Sequence, residues 1–387
     1  MESQAIIRTK LYPPVETAAL VPRSRLLDAL NSRALRRLTL AAAPAGFGKT
    51  TLLGQWFRHL NSRMCCCWLS LDHEDGSPQR FARHFIAALQ TVRPEIGRDA
   101  LQRLDTAALS DITEMLPELV NQIADLEAPI AVFLDDFHFA GSEQVLQFME
   151  LLLNLSADHF HLVLSSRIRM GLPLAGLRVQ DQLTEVTAAH LRFDQQESSD
   201  FLTRIQGLDL TDQQLSSLLD HAEGWAAGLQ LASLSLKNAS RRNEFIESFS
   251  GTFRDIADYL AVQVLENQPE LVREFLLRTS VLQRLNAEVC RKLTGVVDCQ
   301  QMLETLEGRN LFIVPLDQER RWYRYHQLFQ EFLFGQLRRR YPGEIVRLYA
   351  RAAEWFSVAG FPAEAVDYAL LSGDIVTSAR LVESQAQ

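Results

Sequence analysis

At 387 residues the chain is too long for one ordinary hydrophobic core, and about two to four domains are expected. Hydrophobic residues at 47% and charged residues at 22% match the usual balance of folded soluble domains, which argues against wholesale disorder and against a membrane protein. A net charge of -9 disfavours broad electrostatic attachment to nucleic acid or anionic lipid, so any DNA-contacting surface is expected outside these residues.

The amino end, MESQAIIRTKLYPP, lacks the apolar core of a signal peptide, and no run approaches the roughly 18 apolar residues of a spanning helix. A cytoplasmic location is expected. Unbroken apolar runs at Leu38 to Ala43, Cys66 to Leu71, Ile130 to Leu134, His161 to Ser165 and Leu183 to Val186 read as strands covered on both faces. Helical patterns separate them near Thr51 to Leu60, Gln79 to Gln90, Ile112 to Ala124 and Glu143 to Asn154. This alternation predicts an α/β domain with a parallel five-stranded sheet over residues 1–190. Within the second run, Cys65, Cys66 and Cys67 alternate between faces and cannot converge on one metal ion, so reduced thiols are expected.

After about residue 190 the strand signal nearly vanishes. Asp194 and Glu197 form a capping box opening a helix through Ile205. Further helices are expected near Asp212 to Asp220, Trp225 to Leu236, Arg254 to Leu265, Glu270 to Arg278, Ala287 to Leu293, Gln300 to Glu307 and His326 to Arg338. A β-ribbon, Leu311 to Pro315 with Trp322 to Tyr325, interrupts them in the pattern of a winged helix. The helix pair Ile345 to Ala359 and Ala363 to Ser372 turns at Gly360-Phe361-Pro362, with another helix starting near Asp374, like the first unit of a TPR-like helical solenoid. The expected domains are therefore 1–190, an all-α domain at 191–267, a winged-helix domain at 268–341 and the solenoid start at 342–387.

The chemistry is concentrated behind three strands. Ala43-Pro44-Ala45-Gly46-Phe47-Gly48-Lys49-Thr50-Thr51 follows the first strand and opens a helix. A P-loop needs backbone N–H groups that curl round phosphate oxygens, a lysine for the β- and γ-phosphates and a hydroxyl for Mg²⁺. Residues Ala45 to Thr51 are the nucleotide-binding candidates, with Lys49 as the catalytic cation and Thr50 as the metal ligand. The leading glycine of the usual pattern is Ala43, a position that mainly shapes the turn. The third run ends in Asp135-Asp136, with Asp135 the candidate for the Mg²⁺ shell and Asp136 for the catalytic base. The fourth ends in Ser165-Ser166-Arg167, where Arg167 either senses a γ-phosphate or is a surface ion-pair partner.

The set Pro44 to Thr51, Asp135-Asp136-Phe137-His138 and Ser166-Arg167 resembles the MalT-like, large ATP-binding LuxR-type regulators, a branch of the signal-transduction ATPases with numerous domains. The resemblance runs essentially the full length, through Lys10 to Pro14, Leu20 to Arg23, Trp68 to Asp72, Glu223-Gly224-Trp225, Tyr325 to Phe329, Ala352 to Phe356 and Gly360 to Pro362. It implies that Val21 and Arg23 line the base and sugar side of the nucleotide. It also implies that His326 reaches the ADP phosphates, although Gln327 replaces the proline of the family pattern and His326 could instead cap a helix start.

By the same resemblance the chain is a nucleotide switch. ADP holds a closed monomer, Mg-ATP and a small-molecule inducer favour an open, self-associating form, and slow hydrolysis resets it. The inducer-binding solenoid and the DNA-binding helix-turn-helix of the family lie outside these residues, so a longer protein is expected, with DNA bound through that missing part alone. Two readings compete: an AAA-type motor or chaperone, and a non-catalytic nucleotide-bound scaffold.

Overall fold

The computed structural model describes residues 6–15, 20–32, 35–106, 111–238, 246 and 249–373. The helix expected near Asp374 lies outside them. The chain divides into two compact units, Met1–Gln206 and Gly207–Gln387.

In the first unit, strands β1 (Leu38–Ala42), β2 (Cys65–Ser70), β3 (Ile130–Asp135), β4 (Phe160–Ser166) and β5 (Leu183–Thr187) form one parallel sheet in the order β2-β3-β4-β1-β5. All five expected strands are present to within a residue or two. Side-chain alternation sorts their faces. Ile130, Val132 and Leu134 enter the core built around Phe81, Phe85 and Phe148. Phe133 points the other way, stacking on Trp68 at 5.8 Å and meeting Trp56 and Phe57 of the helix Lys49–Leu60. Two residues on, Asp135 therefore emerges on the face covered by that helix. The five cysteines are free thiols, and burial pushes the Cys66 thiol up to about 12. Among the described residues no helix is long and apolar enough to cross a membrane.

The helix expected through Ile205 is α-helical over Gln195–Ser199 and widens to π-helical turns over Asp200–Ile205. In the second unit, an antiparallel hairpin of β6 (Ile313–Pro315) and β7 (Tyr323–Tyr325) is extended by a bridge from Tyr323 to Leu285 and leads into the helix Gln327–Arg340. This is the ribbon and helix of a winged-helix domain. The pair Ile345–Val358 and Pro362–Ser372 follows, fastened by Arg284, whose guanidinium lies 4.2 Å from the Trp322 ring and 4.5 Å from Phe361.

The amino-terminal segment is pinned by a buried ion cluster that sequence reading missed. Lys10 Nζ reaches Asp75 at 2.6 Å and Asp72 at 2.7 Å, while His84 Nδ1 lies 2.8 Å from the other Asp75 oxygen. Asp75 has no solvent exposure. Burial alone would raise its carboxyl, but hydrogen bonds from His84, Lys10 and the Asp72 N–H outweigh it and hold the group below the usual carboxylate range. Because the folded-state pKa is depressed, this stabilisation is complete above the unfolded value of about 3.9 and is lost as pH falls through the lower folded value. Lys10→Ala is expected to cost about 3 kcal/mol at pH 7, the loss shrinking below about pH 4. Denaturant unfolding at both pH values checks this, and coincident midpoints at pH 7 would show that the cluster does not anchor the segment.

Candidate functional site

The strand order brings the carboxyl ends of β1, β4 and β3 side by side. Ligands of open α/β sheets bind at that edge, where neighbouring strands lead their connections to opposite sides. The Ala43 N–H donates to the Ser166 carbonyl at 3.2 Å, tying the loop start to β4. Gly46 and Gly48 then adopt left-handed φ values of 77° and 80°, a region that favours glycine and lets consecutive N–H groups turn inward. Among the described residues the left-handed positions do not include Ala43, so no glycine is required there. Lys49 opens the following helix and is only 6% exposed. Its Nζ donates to the carbonyls of Ala43 and Pro44 at 2.8 and 2.9 Å. Burial lowers it to about 8, against the opposing charges of Asp136 and Asp135 and with that of Arg167.

Asp135 is 4% exposed at the end of β3 and accepts a hydrogen bond from Thr50 Oγ1 at 3.1 Å and another from Ser165 Oγ. Burial raises its carboxyl to about 6, reinforced by the charge of Asp136 and opposed by Ser165, Thr50 and Lys49. Asp136 turns left-handed at φ 55°, an uncommon state for a residue with a side chain, and its N–H donates to Ser165 Oγ at 2.8 Å. Ser165 thus links both acids. Ser166 does not join it, exchanging hydrogen bonds with Ile168 instead.

Arg167 is half-buried, its charge acts on Lys49 and His138, and its N–H lies 3.5 Å from His138 Nδ1. The His138 ring is pushed down to about 3 by burial and then by the cations Arg167 and Lys49, so it is neutral beside Asp136 at 3.8 Å. Sequence reading quoted His138 without giving it a task. The carboxyl edge of the sheet thus holds Lys49, Thr50, Asp135, Asp136, Arg167 and His138.

Gln55, on the helix behind the loop, accepts from the Arg23 N–H at 3.2 Å and donates to the Val21 carbonyl at 3.1 Å, laying residues 21–23 along that helix. Val21 lines a cavity of about 540 Å³ with Leu20, Pro22, Arg25, Asp194 and Gln196. Arg23 is 2% exposed and turns elsewhere: Nε meets Glu197 at 3.1 Å, Nη2 the Leu191 carbonyl at 2.8 Å, and the guanidinium lies 4.7 Å from the Phe193 ring. A Cβ on Gly48 would stand 4.0 Å from Arg23 Nη1, so the arginine also abuts the loop. Glu197 fulfils its expected capping role with Asp194 and holds Arg23 as well.

His326, in the second unit, is the N-cap residue of the helix Gln327–Arg340, but its imidazole does not cap that helix. It is 1% exposed, edge-on to Trp225 at 6.1 Å and to Phe312 at 5.8 Å, because the Phe312 carbonyl binds the His326 N–H at 2.7 Å and draws the helix start inward. Within the first unit, Ser165→Ala should cost about 1 to 3 kcal/mol, since it strips a donor from Asp135 and an acceptor from the Asp136 N–H. Thermal unfolding checks this; an unchanged midpoint would show that Ser165 does not join the acids.

Residues 21–165 match the family described as AAA ATPase domain, and residues 261–345 the MalT winged helix domain. The serine/threonine-protein kinase PknK of Mycobacterium tuberculosis is 36% identical over 377 residues, 97% of this chain and 34% of the kinase. The HTH-type transcriptional regulator MalT of Serratia proteamaculans is 36% identical over 375 residues, 96% of this chain and 41% of the regulator. The chain thus spans between a third and a half of the length of these relatives. A Walker-type ATPase of Pyrococcus abyssi shares the fold, with a TM-score of 0.54 at 16% identity, over 81% of this chain and 95% of that one. The chain thus carries a match to an AAA ATPase domain followed by a match to a MalT winged helix domain, and it is similar to both PknK and MalT along nearly its whole length.

Proposed function

We propose that the first unit binds Mg-ATP and hydrolyses it slowly, and that the difference between its ATP and ADP states controls self-association of a cytoplasmic bacterial regulator. The observation that carries this reading is the continuous link from Thr50 through Asp135 and Ser165 to Asp136, which couples the phosphate loop to both acids. An oxygen pair such as Thr50 and Asp135 suits Mg²⁺, which would supply charge neutralisation between the β- and γ-phosphates. The loop N–H groups from Ala45 to Thr51 and the Lys49 ammonium would hold the phosphates, and Val21 the base side. Asp136 would orient the attacking water and take its proton, while Lys49 and Arg167 offset charge growing on the γ-phosphoryl oxygens.

The finer division at residues 190, 267 and 341 belongs to this proposal. So does the role of His326 as a latch that binds the β-phosphate of ADP and is displaced by a γ-phosphate, since a ligand shifts an equilibrium only by its differential affinity for the two states. An inducer would act through a solenoid following residue 342, and DNA would be bound, if at all, by a helix-turn-helix beyond this chain. Equal similarity to a protein kinase favours a second reading of the output: the same switch could govern a kinase. The intact Lys49, Thr50, Asp135 and Asp136 speak against a non-catalytic scaffold.

Lys49→Ala is expected to weaken ATP and ADP binding at least tenfold, the worth of about one charge-assisted hydrogen bond, without unfolding the chain. Asp136→Asn should leave Mg-ATP binding within about twofold and slow single-turnover hydrolysis by about 100-fold or more. Calorimetric titration and phosphate release check both. Wild-type affinity in Lys49→Ala, or wild-type hydrolysis in Asp136→Asn, would overturn the respective role.

A further inference from the structure

The turn that carries Asp136 is backed by a segment to which the chemistry above gives no task. Asp136 holds φ 55°, and strained backbone of this kind persists where its surroundings over-determine it. Ser165 fixes the Asp136 N–H from one side, and on the other the Phe139 N–H donates to the Asp136 carbonyl at 3.1 Å. Phe139 belongs to the 3-10 turn Phe137–Ala140, and a second 3-10 turn, His73–Gly76, leans on it. The His73 ring lies 4.2 Å from the Phe139 ring, and a Cβ on Gly76 would stand 3.4 Å from the Phe139 carbonyl. The segment leading into His73–Gly76 is itself tied to the acids. Ser70 is in register with Asp135, and the Leu71 N–H donates to the Asp135 carbonyl at 3.0 Å.

What sets the His73–Gly76 turn in place is the amino-terminal segment. Asp72 and Asp75 cap the turn reciprocally, Asp75 accepting from the Asp72 N–H at 2.9 Å and Asp72 from the Glu74 N–H at 3.0 Å. Lys10 Nζ bonds both carboxylates, so one ammonium closes this box from outside. We propose that Lys10 is a positioning residue for hydrolysis: through Asp72 and Asp75 it sets the His73–Gly76 turn against Phe139, and so holds the Asp136 carboxylate where it meets the attacking water. The amino-terminal segment thereby governs the lifetime of the ATP state, and drawing it off the turn prolongs that state. This inference rests on the reading of Asp136 as the base, and every residue in it belongs to the first unit.

The test combines single-turnover phosphate release, calorimetric titration with Mg-ATP and thermal melting of the whole chain, comparing wild type with Lys10→Ala, His73→Ala, the double variant and Asp136→Asn. Lys10→Ala should slow hydrolysis about tenfold and leave Mg-ATP affinity within about twofold, since a small displacement of a catalytic group costs rate rather than ground-state binding. His73 is exposed, so His73→Ala should keep the melting temperature and still slow hydrolysis about fivefold. The double variant should be no more than about twofold slower than Lys10→Ala, because both substitutions act through one turn. Wild-type hydrolysis in folded Lys10→Ala or in His73→Ala overturns the inference, as does a double variant whose loss is the product of the single losses. A fall in affinity that matches the fall in rate would make the segment part of the binding surface and also sink it. If Lys10→Ala does not fold, His73→Ala decides alone. Wild-type hydrolysis in Asp136→Asn would instead overturn the underlying reading of the site.

Discussion

The position of β4 between β1 and β3 is the constraint on which the site depends. Only a strand lodged there can pair with the loop-bearing strand on one side and the acid-bearing strand on the other. Ser165 can then reach Asp135 and the N–H of Asp136, and the Ser166 carbonyl can hold the Ala43 N–H. Swapping β4 and β5 would leave the loop and the acids intact in sequence but without the hydroxyl that joins them. The parallel register and the aromatic packing of Phe133 against Trp56, Phe57 and Trp68 set which face each strand end presents.

Charge at this edge is held under tension. Lys49 and Asp135 are buried groups of opposite sign, and burial draws both toward their neutral forms, with Lys49 at about 8 and Asp135 at about 6. A buried ion is costly unless it is matched. A polyphosphate beside the lysine and a divalent cation beside the carboxylate would provide the matching charges, so the chemistry of the donor set suits the ligand that the loop geometry suits. Neutral His138, close to Asp136 and Arg167, completes the edge without adding charge.

Much of this was legible in the sequence because it is local. Unbroken apolar runs gave the five strands, and the loop and the two acids sit directly after them. The Ala43 departure proves harmless for a reason that only dihedral angles reveal. What escaped depends on approach between distant segments. Gln55 and Glu197 carry ordinary helix-surface signatures, and nothing local tells that they clasp residues 21–23. Val21 and Arg23 were expected on the base and sugar side of a nucleotide; Val21 lines the cavity, and Arg23 pairs with Glu197 while abutting the loop at Gly48. Lys10 lies 65 residues before Asp75, so the buried cluster that it forms with Asp75 and His84 has no motif. The burial of His326 likewise has no local signal, because the two rings that bury it come from other elements, Trp225 at the start of one helix and Phe312 before β6. The π-helical widening over the six residues Asp200–Ile205 is too short to leave a periodicity of its own.

The most direct test of the central claim, that the edge formed by β1, β4 and β3 is one Mg-nucleotide site, is a titration of the wild-type chain with ATP in the presence and absence of Mg²⁺, repeated with Thr50→Ala and Asp135→Asn and with the double variant. The account predicts that Mg²⁺ strengthens binding in wild type, that each single variant loses most of that gain, and that the double variant loses little more, because the two oxygens serve one ion. Additive losses in the double variant, or a Mg²⁺ dependence unchanged by either substitution, would contradict it.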